Sequence, residues 1–178
     1  EARTTRKALE EYAFAEEESG DSYKETRKKL VRETAFTWLN RLVALRMMEE
    51  RNLLRTVISK LHESAGYLFW LTENTNAGEY KLHEEGESPV NPAGEGPRNT
   101  AYRRFIIWQC YSLSKEIPVL FDTSDLPSRL FPRPIVLRDF ILSMNREELA
   151  DAWKKGNEEI IGWVYQSFIA EEKDRIFK

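Results

Sequence analysis

The sequence predicts a mostly α fold: an irregular multi-helix domain of about six to seven helices spanning 1–178, with a long Gly/Pro-rich surface loop over 74–99. Two observations predict it. Apolar residues recur at helical spacing in several separate stretches, and helix starts and stops are marked by capping residues and prolines. The one candidate strand, 55–59, is too short to tell from a connector.

Thr4 to Glu18 reads as a helix with Leu9, Tyr12 and Phe14 as its apolar positions. Glu16, Glu17 and Glu18 close it on the end where the helix dipole disfavours negative charge. Gly20 and Ser22 then supply a stop and an N-cap. A second helix follows from Tyr23 to about Arg51, and a third from Leu61 to Leu71 with Leu61, Ala65, Leu68 and Phe69 on one side. Over 74–99, Gly78, Gly86, Gly94 and Gly96 alternate with Pro89, Pro92 and Pro97, which reads as a surface insertion without periodicity. Thr100 is the expected cap of a helix from Ala101 to Ile117, whose stripe is Tyr102, Ile106, Cys110, Leu113 and Ile117. Pro127, Pro132 and Pro134 punctuate a crossing. Two short helices come next, about Ile135–Ser143 and Arg146–Lys155, the second opened by Asn145 with Glu148 three residues on. Asn157 begins a last helix carrying Ile161, Val164, Tyr165, Phe168 and Ile169.

The chain is organised around Thr34–Leu54. Phe36, Trp38, Leu39, Leu42, Val43, Leu45 and Met47 point nearly all the way round, so this stretch expects burial. Asn40, Arg41 and Arg46 sit within it, and Arg46 falls between the directions of Leu42 and Leu39. A buried guanidinium needs a partner. Glu50, one turn on, is available. A buried polar network of Asn40, Arg46 and Glu50 is the expectation.

With 27 basic and 30 acidic residues, the net charge is −3. That argues against a free-standing nucleic-acid binder held by phosphate contacts. Cys110 is the only cysteine, which rules out an intrachain disulfide and suits a reducing cytoplasm. No apolar run reaches the roughly 20 residues of a membrane helix, so no membrane partner is expected. The chain opens without methionine and closes inside a helical pattern, so it reads as a fragment.

Catalytic and metal motifs are missing. Gly94-Glu95-Gly96 runs into Pro97 and follows no strand, so it is not a dinucleotide turn. Two histidines, His62 on a helix surface and His83 in the loop, cannot make a zinc site with a single cysteine. Asn91-Pro92 lacks the second proline and aromatic residue with which amino-methyltransferases grip a flipped base. Arg103 and Arg104, with Arg129, Arg133 and Arg138 around the proline crossing, are candidates for DNA-backbone contacts. Ion pairing with the many carboxylates is the structural alternative.

Ala35 to Glu49 resembles the A-[FY]-T-W-[FL]-N-R-[FL]-x-A-L-R-[FY]-M segment in the N-terminal helical region of PglX-type DNA adenine methyltransferases. These enzymes serve BREX phage defence and are related to type IIG restriction-modification enzymes. Tyr102-Arg103-Arg104 through Cys110, Pro118–Phe121 and Val136-Leu137-Arg138 resemble that family's middle helices. Ile160 to Gln166, with Glu171 to Asp174 and Ile176-Phe177, resembles a third block. The resemblance implies a parent enzyme using S-adenosylmethionine to methylate the adenine amine in double-stranded DNA. This chain would be a helical scaffold preceding the catalytic domain, its partner in the same protein. No catalytic, cofactor-binding or metal-binding residue carries over. The alternative expectation is an interaction module, docking defence-system proteins or phage inhibitors through 74–99 or the acidic turns, without touching DNA.

Overall fold

The computed structural model describes residues 2–20, 22–91, 94–157, 159–160, 162–163 and 166, and among them there is no strand. Helix α1 (Ala2–Glu18) runs into Gly20, whose φ of 96° turns the chain. Ser22 then caps α2 (Tyr23–Glu50) in a full capping box with Glu25. Lys29 on α2 reaches back 2.6 Å to Glu16, giving the acidic end of α1 the cation its dipole lacks.

After α2 the chain passes through 51–60 without regular structure. The expected helix over 61–71 is divided: a 3-10 turn, Leu61–Glu63, and α3 (Ala65–Leu71), separated by the extended Ser64. Thr56 causes the break. Its hydroxyl accepts from Ala65 N at 2.7 Å and its carbonyl from Gly66 N at 2.8 Å, which starts α3 afresh. The restart turns the inward face to Tyr67, Trp70 and Leu71, leaving Leu68 and Phe69 exposed, contrary to the expected stripe.

The expected loop 74–99 is mostly not a loop. A 3-10 turn, Asn74–Asn76, leads into α4 (Ala77–Glu85), and α5 (Pro97–Ser114) begins inside the stretch. Helix α4 packs along α5, with Glu79 and Arg104 joined at 2.8 Å, so tertiary contact supplies what periodicity does not. Among the described residues of this stretch only 86–91 and 94–96 are irregular, and they are pinned at both ends. Arg98 N donates to Gly86 O, and Asn91 N to Glu95 O. Gly96, not Thr100, caps α5, followed by Pro97 in the first turn. A Cβ at Gly96 would lie 2.2 Å from the Glu87 carbonyl oxygen, so only glycine fits that crossing.

Two four-residue helices, α6 (Pro118–Phe121) and α7 (Leu126–Arg129), carry the chain across α2 to α8 (Pro134–Met144). Asn145 does not open the next element. Its amide donates to Ser59 O at 2.7 Å, and Arg146 precedes a 3-10 helix, Glu147–Trp153. The stripe Ile161, Val164, Tyr165, Phe168 and Ile169 lies outside the described residues.

The core gathers Trp38, Leu42 and Leu45 of α2 with Tyr67, Trp70, Tyr102, Phe105, Ile106, Phe121 and Ile141. Tyr67, Tyr102 and Phe105 meet with centroids 5.2–6.4 Å apart, within the range of favourable aromatic pairs. Cys110 is buried in the α5 stripe. Burial pushes its thiol up to about 12, so it behaves as a small core residue.

Candidate functional site

Helix α2 carries two deeply buried charges, and neither belongs to the expected network of Asn40, Arg46 and Glu50. The first is Arg41, 2% exposed. Its Nε donates to Leu120 O at 3.1 Å, and its Nη2 to Ser128 Oγ at 2.6 Å and to Asp122 O. Ser128 Oγ also donates to Asp122 O at 3.0 Å. The Asp125 side chain caps α7 by accepting from Ser128 N, which holds the hydroxyl in place. The guanidinium sits 5.2 Å from the Trp38 ring centre, and Trp38 Nε1 donates to Leu130 O at 2.7 Å. One turn of α2 thus grips the whole crossing 120–130. Burial lowers the arginine's pKa, opposed by the charges of Asp125 and Asp122 among others.

The second is Glu49, also buried. Its carboxylate accepts from the backbone N–H groups of Val57, Ile58 and Ser59 in succession. Tyr102 OH donates to Val57 O at 3.0 Å, closing the other side of the same turn. A carboxylate in a nest of amides satisfies donors that this irregular connector cannot satisfy itself.

Arg46 is half-buried and lies between these two. Its Nη1 is 3.0 Å from Glu50 Oε2, its Nε donates to Asn145 Oδ1 at 3.2 Å, and it lies 5.7 Å from the Trp153 ring centre. Glu50 is exposed. Asn40 stands apart from both, in a cleft with Phe36, Arg41 and Val119.

The two histidines converge, though the sequence put one on a helix and one in a loop. His83 lies on α4, and its Nδ1 is 3.2 Å from Tyr67 OH. His62 sits in the 3-10 turn, edge-on to Tyr102 at 5.0 Å, with Nδ1 3.6 Å from Glu87. With Lys60 and Arg98 they line a cleft of about 610 Å³. Burial lowers both histidine pKa values and raises that of Tyr67. One hydrogen bond joins the Tyr67 hydroxyl to the His83 ring within this cluster. Among the described residues no three His, Cys, Asp or Glu side chains gather to hold a metal.

The five candidate arginines fall on different elements, Arg103 and Arg104 on α5, Arg129 on α7, and Arg133 and Arg138 at the start of α8 and within it. Arg104 pairs with Glu79 at 2.8 Å, and Arg103 Nε lies 3.0 Å from Glu95, though off the line of a hydrogen bond. Both belong to the α4–α5 surface. Arg129 donates to Ser124 O, Arg133 precedes α8, and Arg138 lies 3.4 Å from Asp139; all three are exposed.

An apolar groove of about 530 Å³ runs between α2 and α8. Leu30, Val31, Leu39, Val136 and Phe140 form its walls, and Arg27 and Thr34 are the polar residues on its edge. None of the described helices is long and apolar enough to cross a membrane.

The chain is 31% identical over 156 residues to the adenine-specific methyltransferase BrxX of Escherichia coli O9:H4 (strain HS), which covers 83% of this chain and 12% of that protein. It is 28% identical over 163 residues to the adenine-specific methyltransferase PglX of Lacticaseibacillus casei (strain Zhang), covering 84% of this chain and 13% of that protein. The chain therefore spans about an eighth of the length of the curated relatives it matches. No protein-family model matches it, and no solved structure does.

Proposed function

The chain corresponds to part of a BREX-type adenine-specific methyltransferase of the BrxX and PglX kind, and from that premise we propose that it is the helical scaffold of such an enzyme. The parent protein would move a methyl group from S-adenosylmethionine to the exocyclic amine of adenine in duplex DNA, within phage defence or restriction-modification. The observation that carries the reading is that both relatives align over more than four-fifths of this chain.

A scaffold role fits the chemistry of the described residues. Their buried charges bind backbone and neighbouring side chains, holding elements together. The groove is apolar, with Arg27 and Thr34 as the polar residues of its lining. On this reading the methyl donor would be held by the catalytic part of the parent enzyme. Of the candidate DNA contacts, Arg129 and Arg133 are better placed than Arg103, Arg104 and Arg138, which lie against carboxylates. At a net charge of −3 they would supplement an interface centred elsewhere.

The test uses the full-length enzyme, isotopically labelled S-adenosylmethionine and mass spectrometry of digested DNA. Label is expected in N6-methyladenine, and deletion of this region should abolish it. An enzyme that methylates equally well without residues 1–178 has no use for a scaffold here. Label in another nucleoside would sink the assigned chemistry.

A further inference from the structure

Helix α8 is apolar on both sides. Leu137, Ile141 and Met144 are buried in the core, while Ile135, Val136 and Leu142 point outward and are each more than half exposed. A helix of that character expects cover on both faces. Val136 is 58% exposed and Val31, across the groove on α2, 59%. These differ from scattered surface residues such as Val119, because they share one continuous depression with Leu30, Leu39 and Phe140.

The chemistry of the lining narrows the occupant. A small-molecule site places several polar groups convergently around an apolar body. This groove has only Arg27 and Thr34 on its edge. Its complement is a ridge of apolar side chains, as at the core of a protein–protein interface. The relatives supply a polypeptide to carry such a ridge, since about seven-eighths of their length lies outside the aligned region.

Resting on the methyltransferase reading above, we propose that the α2–α8 groove is where the remainder of the same polypeptide docks onto this scaffold, seating an apolar ridge between Val31 and Val136. The groove is then an interdomain joint, and the outer face of α8 is buried in the whole enzyme.

The proposal is tested by placing the photo-cross-linking residue p-benzoylphenylalanine at Val31 or Val136 of the full-length enzyme, with Val119 as an exposed control. Irradiation is followed by peptide mapping. Cross-links from positions 31 and 136 to peptides outside residues 1–178, lost on Leu39→Asp, are the expected result. Cross-links to residues 158–178 would mean the chain covers its own groove, and cross-links between two copies would make it a homodimer face. Yields no higher than at Val119 would leave it open to solvent. Each of those three overturns the proposal. Assaying methylation on the same protein separates the two readings: an intramolecular cross-link in an enzyme that does not methylate adenine sinks the function and leaves the joint standing.

Discussion

Replacing Arg41 by methionine keeps the aliphatic stem and removes the guanidinium. Three acceptors lose a charged donor: Leu120 O, Asp122 O and Ser128 Oγ. The losses are unequal. Asp122 O keeps the Ser128 hydroxyl at 3.0 Å, so the uncompensated cost falls chiefly on Leu120 O and on the packing over Trp38. Hydrogen bonds to charged groups contribute about 1.5–3 kcal/mol each, and because the three partners are neutral no charge is left stranded. Relief of the arginine's own desolvation offsets part of this. We therefore expect Arg41→Met to destabilise by about 2–4 kcal/mol. Urea unfolding reads the effect as a lower midpoint at unchanged slope. Arg138→Met, at an exposed position, should stay within about 0.5 kcal/mol of the parent. Pairing Arg41→Met with Ser128→Ala should give a coupling of about 1 kcal/mol. If Arg41→Met unfolds with Arg138→Met, or the coupling is nil, the guanidinium does not hold the crossing.

Glu49→Ala strands the amides of Val57, Ile58 and Ser59 and should cost about 3 kcal/mol. Hydrogen exchange would show those amides losing protection, and unchanged protection would refute the nest. The histidine cluster sets a pH dependence. Burial holds His62 and His83 below the ordinary value of 6.5, so the unfolded chain binds their protons more tightly. Their contribution is intact above that value and is lost as pH falls below it. The urea midpoint should therefore drop on acidification below about pH 6.5, before the lowered carboxylates Glu25 and Asp122 begin to titrate in their own lower window. A His62→Gln/His83→Gln double variant should flatten the upper part of that profile; an unaltered slope assigns it to other groups.

The long helices were legible because their signals are local. The N-cap at Ser22 and the stripe Tyr102, Ile106, Cys110 both act within a few turns. Helix α4 was not, because it has no stripe of its own and is held by α5, whose arginine meets Glu79 across 25 residues. The same distinction explains the buried charges. Helical geometry put Arg46 with Glu50, a contact within one helix, and the structure has that pair. Which arginine is fully enclosed depends on where α6 and α7 cross, and Arg41 meets its partners 79–87 residues away. Glu49 had no signal at all, since backbone amides leave no mark in a sequence. The Arg103–Glu95 approach was similarly invisible, because Glu95 lay in a stretch without periodicity.

Arg41 and Glu49 stand eight residues apart on one unbroken helix, a separation of about 12 Å along its axis. Each is clamped to backbone, one to the crossing at 120–128 and the other to the connector at 57–59. The helix therefore acts as a gauge block. Neither clamped segment can slide along it without stripping a buried charge of its partners, so the distance between them is set by helical rise. Whatever these two segments present to the rest of the protein is presented at a fixed spacing, and an inserted or deleted residue between positions 41 and 49 would throw it out of register by about 100° of rotation as well as length.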